Sequence, residues 1–162
     1  MAHDEVLTPT GTIAKRVKEV RKGRGLTAEQ LAVRLAEQGF RWDRYTVTKL
    51  ETGKRQNVTV AELFALGTAL NVAPVNLLVP TSGDENDYQV TPAKTATVGD
   101  VREWVRGRIS LGNGRYKDFI AEAPEGEFVT FDVTTREGAE AAAEWAKGRG
   151  LGTVTETGKT DG

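Results

Sequence analysis

The sequence predicts a mainly α-helical protein, in which a domain of five short helices over residues 12–80 is followed by a small α+β module. Apolar residues recur at helical spacing five times within about seventy residues, and the connections are too short for anything but compact packing. After residue 80 the composition changes to Ser, Gly, Asp, Glu, Asn, Pro and Thr. This change predicts a linker over residues 81–95 and places the module in residues 96–157.

Two helices are predicted before residue 40. The first, in GTIAKRVKEVRK, has aliphatic residues at helical spacing with basic residues between them, and the GRG that follows ends it. The second, in TAEQLAVRLAEQ, begins after Thr27, which stands three positions before Gln30 as in a capping box, and it ends at Gly39.

The third helix is predicted in RWDRYTVTKLETGKRQN, which holds five basic side chains and two aromatic ones but only two aliphatic residues. Asp43 is a good N-cap, and Trp42 stands five positions before Val47, the spacing of a hydrophobic staple. The helix therefore starts at Arg44, with Val47 and Leu50 turned inward. The side chains left on its outer faces are Arg44, Tyr45, Thr48 and Lys49.

Two further helices complete the predicted domain. Thr59 and Glu62 have the spacing of a second capping box at the start of VAELFALGTALNV. Pro74 stands where the first residue of a short final helix, PVNLLV, is expected, because proline is tolerated at that position.

The α+β module is predicted in the order helix, strand, strand, helix, with a possible last strand. Thr97 and Asp100 begin the helix VGDVREWVRGRI, whose apolar residues share one side. The segments RYKDFIAEA and EFVTFDV, separated by PEG, alternate well enough to predict a hairpin. Thr134 and Glu137 begin an alanine-rich helix that runs through Lys147, and TVTET is the possible last strand.

The charge is distributed unevenly along the chain. The net charge is only −1, yet residues 12–56 hold twelve Lys and Arg against five Asp and Glu, and the remainder holds ten against eighteen. A cationic segment is thus joined to an anionic one, which favours a negatively charged partner for the first segment. Basic helix faces that are merely solvated are the alternative.

Composition excludes several kinds of site. The chain has no cysteine and a single histidine, His3, so disulfides and thiolate metal sites are excluded and no cofactor is expected. No apolar run approaches the roughly 18 residues of a membrane span. The start, MAHDEVLTPTGT, lacks the basic and apolar regions of a secretory signal. These features predict a soluble protein of the cytoplasm.

The helical part, residues 13–79, resembles the XRE-type helix-turn-helix family of the lambda and 434 repressors and Cro. The matching strings occur in the right order: GRGLT after the first helix, LAVRL in the second, VTKLETGKR in the third, and AELFALGTALNVAPVNLL in the last two. The resemblance covers about two fifths of the chain, and it implies a lambda-repressor-like domain that binds double-stranded DNA.

In this family the third helix lies in the major groove, and the second braces against the DNA backbone. The resemblance implies that the four outer residues of the third helix read bases. Arg44 suits bidentate pairing with guanine, which supplies roughly 1 to 3 kcal/mol of discrimination, and Asp43 is a cap and a possible acceptor from cytosine. The residues that follow the helix where the family contacts phosphates are Lys54, Arg55, Gln56 and Asn57.

The base-reading residues also have packing alternatives. Tyr45 could pack on the rim of a neighbouring helix, and Arg44 could pair with Glu37 or Asp43. Trp42 is assigned to packing rather than to DNA contact, because of its staple spacing. The outer face that these residues share favours the DNA-reading interpretation.

Three further positions compare with the family pattern. Glu51 matches a glutamate that pairs with an arginine near the end of the first helix, here Arg21, and the pair is expected to orient the helices. Ala28 stands where the family often has a phosphate-contacting Gln, so Thr27 or Gln30 would take over that anchor. About four extra residues within AEQGFRW separate the two helices of the motif, close to one helical turn. We therefore expect a longer second helix and a repositioned turn.

The second half gives no sign of an enzyme. Some related repressors cleave themselves with a Ser–Lys pair, but only Ser82 and Ser110 exist here and no Ala-Gly dipeptide appears. A surface at Trp104 or Trp145 could support a homodimer or a protein partner, although both side chains could belong to the core. Flanking phosphates could be touched by a basic run, which acidic residues interrupt: Arg102, Arg106, Arg108, Arg115 and Lys117.

The leading hypothesis is a sequence-specific DNA-binding transcriptional regulator, a repressor of bacterial or phage type that acts at the nucleoid. A second hypothesis is the antitoxin of a toxin-antitoxin pair, whose acidic half wraps a toxin while the first half autoregulates. A third is a protein-interaction module that has kept the helical fold without binding DNA. The basic face of the third helix favours the first.

Overall fold

The computed structural model describes residues 7–112, 114–124 and 135–148, which divide at residue 114 into two compact units. The first unit contains most of the secondary structure and the second contains two helices. The elements, in chain order, are α1 (Pro9–Gly23), α2 (Ala28–Glu37), α3 (Arg44–Glu51), α4 (Val60–Leu70), α5 (Pro74–Leu78), β1 (Asp87–Thr91), β2 (Lys94–Thr97), α6 (Val98–Val105), α7 (Tyr116–Ala121) and α8 (Arg136–Gly148).

The predicted fold class is confirmed: five helices form an N-terminal bundle, and a small two-stranded hairpin with a helix follows. α1 begins at Pro9, before residue 12, where the predicted domain starts. Thr8 caps it, because its Oγ1 accepts a hydrogen bond from the Gly11 N–H at 3.2 Å, and proline at the first helical position needs no N–H partner.

Each helix of the bundle contributes side chains to one core. Those with no exposed surface are Val17, Leu31, Val47, Leu50, Leu66, Leu70 and Leu77. Burying a large aliphatic side chain contributes roughly 1.5 to 3 kcal/mol, so these contacts hold together helices that are too short to be stable alone. α3 supplies only Val47 and Leu50, which leaves most of its surface unburied.

Side chains cap the helices as their sequence spacing predicts. Both capping boxes are present: Thr27 and Gln30 satisfy each other's backbone N–H groups at the start of α2, and Thr59 and Glu62 do so at the start of α4. Such caps satisfy N–H groups that have no partner within the helix. They also define where α2 and α4 begin, on either side of α3.

Most of the segment predicted as a linker, residues 81–95, is structured, and the prediction was wrong there. β1 and β2 pair antiparallel, with Tyr88 opposite Ala96, and Tyr88 is only 1% exposed. It packs in a second core with Val79, Val98 and Val101. The Tyr88 hydroxyl donates to the Leu78 carbonyl at 2.7 Å, and burial raises the pKa of this phenol to about 12. The burial of Tyr88 and the pairing of β1 with β2 thus order a segment whose average composition is polar.

The predictions for the rest of the chain were partly wrong. α6 is capped by Thr97 as expected, but it ends at Val105 instead of running to Ile109, because Gly107 takes a left-handed conformation with φ 74°. RYKDFIAEA forms α7, not a strand, and its apolar residues Tyr116, Phe119 and Ile120 have helical spacing.

The last predicted elements overlap only in part with the described residues. α8 starts at Arg136, and the Thr135 hydroxyl accepts from the Gly138 N–H at 3.1 Å. The predicted cap Thr134, the strand EFVTFDV and the strand TVTET lie outside the described residues. None of the helices described is long and apolar enough to span a bilayer, and the described part of the chain has no cluster of acidic or His side chains suited to a metal ion.

Candidate nucleic-acid interface

The turn that leads into α3 is held by backbone bonds and by two aromatic side chains. α2 ends at Glu37, so most of AEQGFRW lies in the turn rather than in a longer helix. Gly39 has φ 83°, a conformation that favours glycine, and the Phe40 N–H donates to the Leu35 carbonyl at 3.0 Å. Phe40 and Trp42 pack against the core of the bundle. The added residues therefore form an ordered turn.

Asp43 begins α3. Its Oδ1 accepts from the Thr46 N–H at 2.7 Å and from the Thr46 hydroxyl at 2.6 Å. These two bonds, the hydroxyl bond first, lower the pKa of the Asp43 carboxyl. One oxygen of Asp43 is thus occupied by the cap, and the other is the one left to accept from a ligand.

The outer face of α3 is exposed at each position predicted to read bases. Arg44, Tyr45, Thr48 and Lys49 are exposed, and Tyr45 retains 70% of its surface, which places it off the rim of the neighbouring helices. The Thr48 hydroxyl donates to the Arg44 carbonyl at 2.9 Å. The charged groups of Arg44 and Lys49 make no ion pair with any described residue. The first turn of α3 therefore presents free polar groups to solvent.

A bidentate ion pair holds the C-terminal end of α3. Arg21 Nε lies 2.5 Å from Glu51 Oε1, and Arg21 Nη2 lies 2.7 Å from Glu51 Oε2. The Arg21 Nη1 group donates to the Leu26 carbonyl at 2.6 Å, so one guanidinium joins α1, the turn before α2, and α3. The bond to Glu51 raises the pKa of Arg21 above its ordinary value. Arg21 and Glu51 therefore join α1 to α3, and their role in orienting the helices stays a prediction.

The residues predicted to contact phosphates fall into three groups. Thr27 and Gln30 lie at the start of α2 and use one oxygen each for the capping box, at 3.1 Å and 2.8 Å. Exposed residues after α3, without a side-chain partner among the described residues, are Lys54, Gln56 and Asn57. Arg55, the third group, is different.

The Arg55 side chain is mostly covered, being 19% exposed. Its Nη2 donates to Glu62 Oε1 at 2.8 Å, and its guanidinium carbon lies 4.7 Å from the centre of the Trp42 ring. Burial acts to raise the pKa of Glu62, but bonds from Thr59 and Arg55 outweigh it and leave this pKa lowered. The structure thus brings Trp42, Arg55 and Glu62 together.

Arg41 and Glu62 were missing from the predicted site. Arg41 is exposed and has no partner in the described part of the chain, and it lies between Phe40 and Trp42, which pack on the core. The alternation of aromatic and basic residues in FRW was a signal for an outward Arg41. The contact of Glu62 with Arg55 could not be predicted from the sequence, because the capping-box spacing from Thr59 already accounted for a glutamate at position 62.

The basic run of the second half is largely paired with acidic groups. Arg102 Nη2 donates to the Pro80 carbonyl at 2.6 Å, and Nη1 of the same residue lies 2.8 Å from Asp84. Arg106 and Arg108 both bond Glu103. Arg115 lies 3.3 Å from Asp118, and Lys117 is among the side chains not described. Trp104 is 37% exposed, and the Trp145 side chain also lies outside the description.

The cap of α3 leads to a prediction about pH. Because the pKa of Asp43 is lowered in the folded state, its contribution to stability is present above the unfolded-state pKa and is lost as pH falls through the folded-state value. Asn also caps helices but does not titrate. We expect wild type to lose stability relative to Asp43→Asn as pH falls from about 5 to about 2, as measured by urea unfolding. A stability difference that is constant over this range would contradict the prediction.

The chain was compared with known proteins. The chain is similar to a solved structure, the restriction-modification controller protein C.AhdI from Aeromonas hydrophila, with 32% sequence identity and a TM-score of 0.37. The match covers 42% of this chain and 94% of that protein. No protein-family model matches the chain, and no curated protein matches it.

Proposed function

Because the chain belongs, through its N-terminal helical bundle, to the XRE-type helix-turn-helix family, we propose that it is a DNA-binding transcriptional regulator that reads the major groove with α3. In this arrangement α2 lies against the DNA backbone. Such a regulator would be located in the cytoplasm, bound to the chromosome. Repression is the expected outcome, because a protein seated on an operator can block the polymerase.

The exposed first turn of α3 is the observation that carries this proposal. α3 buries only Val47 and Leu50, so Arg44 and Lys49 are free of ion pairs with described residues and available to base edges. Arg pairs with both acceptors of guanine, and a threonine methyl, as in Thr48, suits the methyl group of thymine.

Phosphate contacts would come from both sides of α3. The N-terminus of α2, where Thr27 and Gln30 lie, offers a helix dipole and the N–H groups that its capping box leaves free, and both favour an anion. Lys54, Gln56 and Asn57 follow α3 and are exposed. Such contacts position the protein and make its affinity depend on salt, whereas the outer residues of α3 would supply sequence choice.

Selection of bound duplexes from a random DNA pool tests the proposal. We expect one sequence to be enriched, and a palindrome with half-sites about one helical turn apart would indicate a homodimer. The selected site, placed across a promoter in front of a reporter gene, should reduce expression when the protein is present. A pool that stays random after selection, with binding as weak as that of any basic protein, would contradict the proposed function.

A further inference from the structure

Arg55 differs from the other cations that surround α3. Arg41, Arg44, Lys49 and Lys54 are exposed, and none of these four makes an ion pair with any residue the structure describes. The Arg55 guanidinium instead covers the Trp42 ring at 4.7 Å and bonds Glu62 at 2.8 Å. Its Nη1 atom is buried and has no hydrogen-bond partner among the described residues.

The three residues of this contact come from three different segments. Trp42 lies in the turn immediately before α3, Arg55 lies in the loop after it, and Glu62 lies in the first turn of α4. The second oxygen of Glu62 accepts from the Thr59 N–H at 2.8 Å, so Glu62 is itself held by the cap of α4. The guanidinium therefore links both ends of α3 to a capped neighbouring helix.

We propose that Arg55 is a positioning residue for DNA recognition: stacked on Trp42 and paired with Glu62, it holds α3 in the orientation from which its outer residues reach base edges. This inference rests on the proposed function. It assigns to Arg55 a role other than the phosphate contact that the resemblance implied.

The geometry disfavours a phosphate contact by Arg55. Its Nη2 is bonded to Glu62 and its Nη1 is buried, so the two terminal nitrogens cannot bind a phosphate together while the guanidinium lies on the indole ring. Its charge is also offset by that of Glu62. Lys54, the preceding residue, is exposed and unpaired within the described residues, and it is the better phosphate ligand.

α3 needs such a link because its own packing is sparse. The helix has eight residues, of which Val47 and Leu50 are buried, and the Arg21–Glu51 pair holds its C-terminal end. The contact of Arg55 with Trp42 acts at the opposite end, next to the base-reading turn. Bidentate base contacts require side chains held to within about 0.5 Å, so a small rotation of α3 would reduce base discrimination.

Charge-preserving and charge-removing variants separate positioning from phosphate binding. We would measure binding to the selected operator and to a random duplex over a series of salt concentrations. Arg55→Lys keeps the charge but removes the planar group, so we expect roughly a tenfold or greater loss of operator affinity, with little change on random DNA or in the salt slope. Glu62→Gln, which can still cap α4, should behave in the same way.

Lys54→Met is the matched control for Arg55→Met. A phosphate contact adds about 0.9 to the slope of log affinity against log salt, so Lys54→Met should lower that slope and weaken binding to both duplexes alike. Arg55→Met should instead have the same effect as Arg55→Lys, a loss of operator affinity with little change in binding to random DNA or in the salt slope. If Arg55→Lys binds like wild type while Arg55→Met behaves like Lys54→Met, Arg55 contacts phosphate and the proposal is overturned.

A second measurement tests the link between Arg55 and Glu62 even if a variant folds poorly or no operator is found. Unfolding of Arg55→Met, Glu62→Gln and the double variant forms a thermodynamic cycle. A positioning link requires that the two changes are not additive, and additive changes would overturn it. If no DNA sequence is selected but the cycle is non-additive, the link between Arg55 and Glu62 exists while the proposed function fails. That result would also overturn the role of Arg55 in DNA recognition.

Discussion

Glu51→Ala is expected to lower the free energy of unfolding by about 3 kcal/mol, because it leaves the charge of Arg21 largely buried and without its partner. The Arg21 and Glu51 side chains are only 12% and 6% exposed, so water cannot replace the lost bidentate contact. The loss is expected at the lower end of the range for buried pairs, since Arg21 keeps its bond to the Leu26 carbonyl. Urea unfolding followed by far-UV circular dichroism measures the change.

Glu19→Ala is the control for this change. Glu19 pairs with Arg16 at 2.6 Å on α1, but its side chain is 44% exposed, and exposed pairs contribute less than about 1 kcal/mol. If Glu51→Ala costs no more than Glu19→Ala, the buried pair does not orient α3. Glu51→Ala should also weaken operator binding in proportion to the unfolded fraction, and more if α3 is reoriented.

Arg44→Ala is expected to reduce affinity for the selected operator roughly tenfold to a hundredfold, the effect of losing one bidentate contact with guanine. Arg44 is exposed, lies in the first turn of α3 and makes no ion pair with Glu37, Asp43 or any other described residue. Its removal should therefore leave folding unchanged. Fluorescence anisotropy with operator and mismatched duplexes, at about 50 mM and 200 mM salt, measures the loss and the base position that it affects.

Lys54→Ala provides the comparison for Arg44→Ala. A phosphate-binding lysine should weaken binding to all duplexes by a similar factor, whereas Arg44→Ala should relax the preference at one base pair. Equal losses on operator and random DNA for both variants would mean that Arg44 contributes only charge. The reading of bases by α3 would then be wrong at its first position.

The order of the five helices and the starts of α2, α3, α4 and α5 could be predicted because their signals are local. A capping box, a proline at the first helical position and a stripe of aliphatic residues each depend on spacings of a few residues. The same holds for the outer face of α3: Val47 and Leu50 take the inward positions, and Arg44, Tyr45, Thr48 and Lys49 remain outside. Exposure of these residues follows from helical geometry.

The hairpin of β1 and β2 could not be predicted because its formation depends on contacts with other segments. Tyr88 orders β1 by packing with Val98 and Val101 and by donating to the Leu78 carbonyl. Averaged over residues 81–95, the composition is polar and hides this one residue. In RYKDFIAEA the pattern allowed both a strand and a helix, and short amphipathic segments are decided by their surroundings.

By itself the sequence determined the helical bundle, the starts of α2, α3, α4 and α5, and a polar, cationic face on α3, since these depend on residues close together along the chain. The tertiary structure alone decided which cations are free. Arg55 stands beside Lys54 in the sequence, yet it stacks on Trp42 and bonds Glu62 while Lys54 remains exposed. The reason is physical: the Arg55 guanidinium is covered because an aromatic face and a carboxylate from other segments meet it.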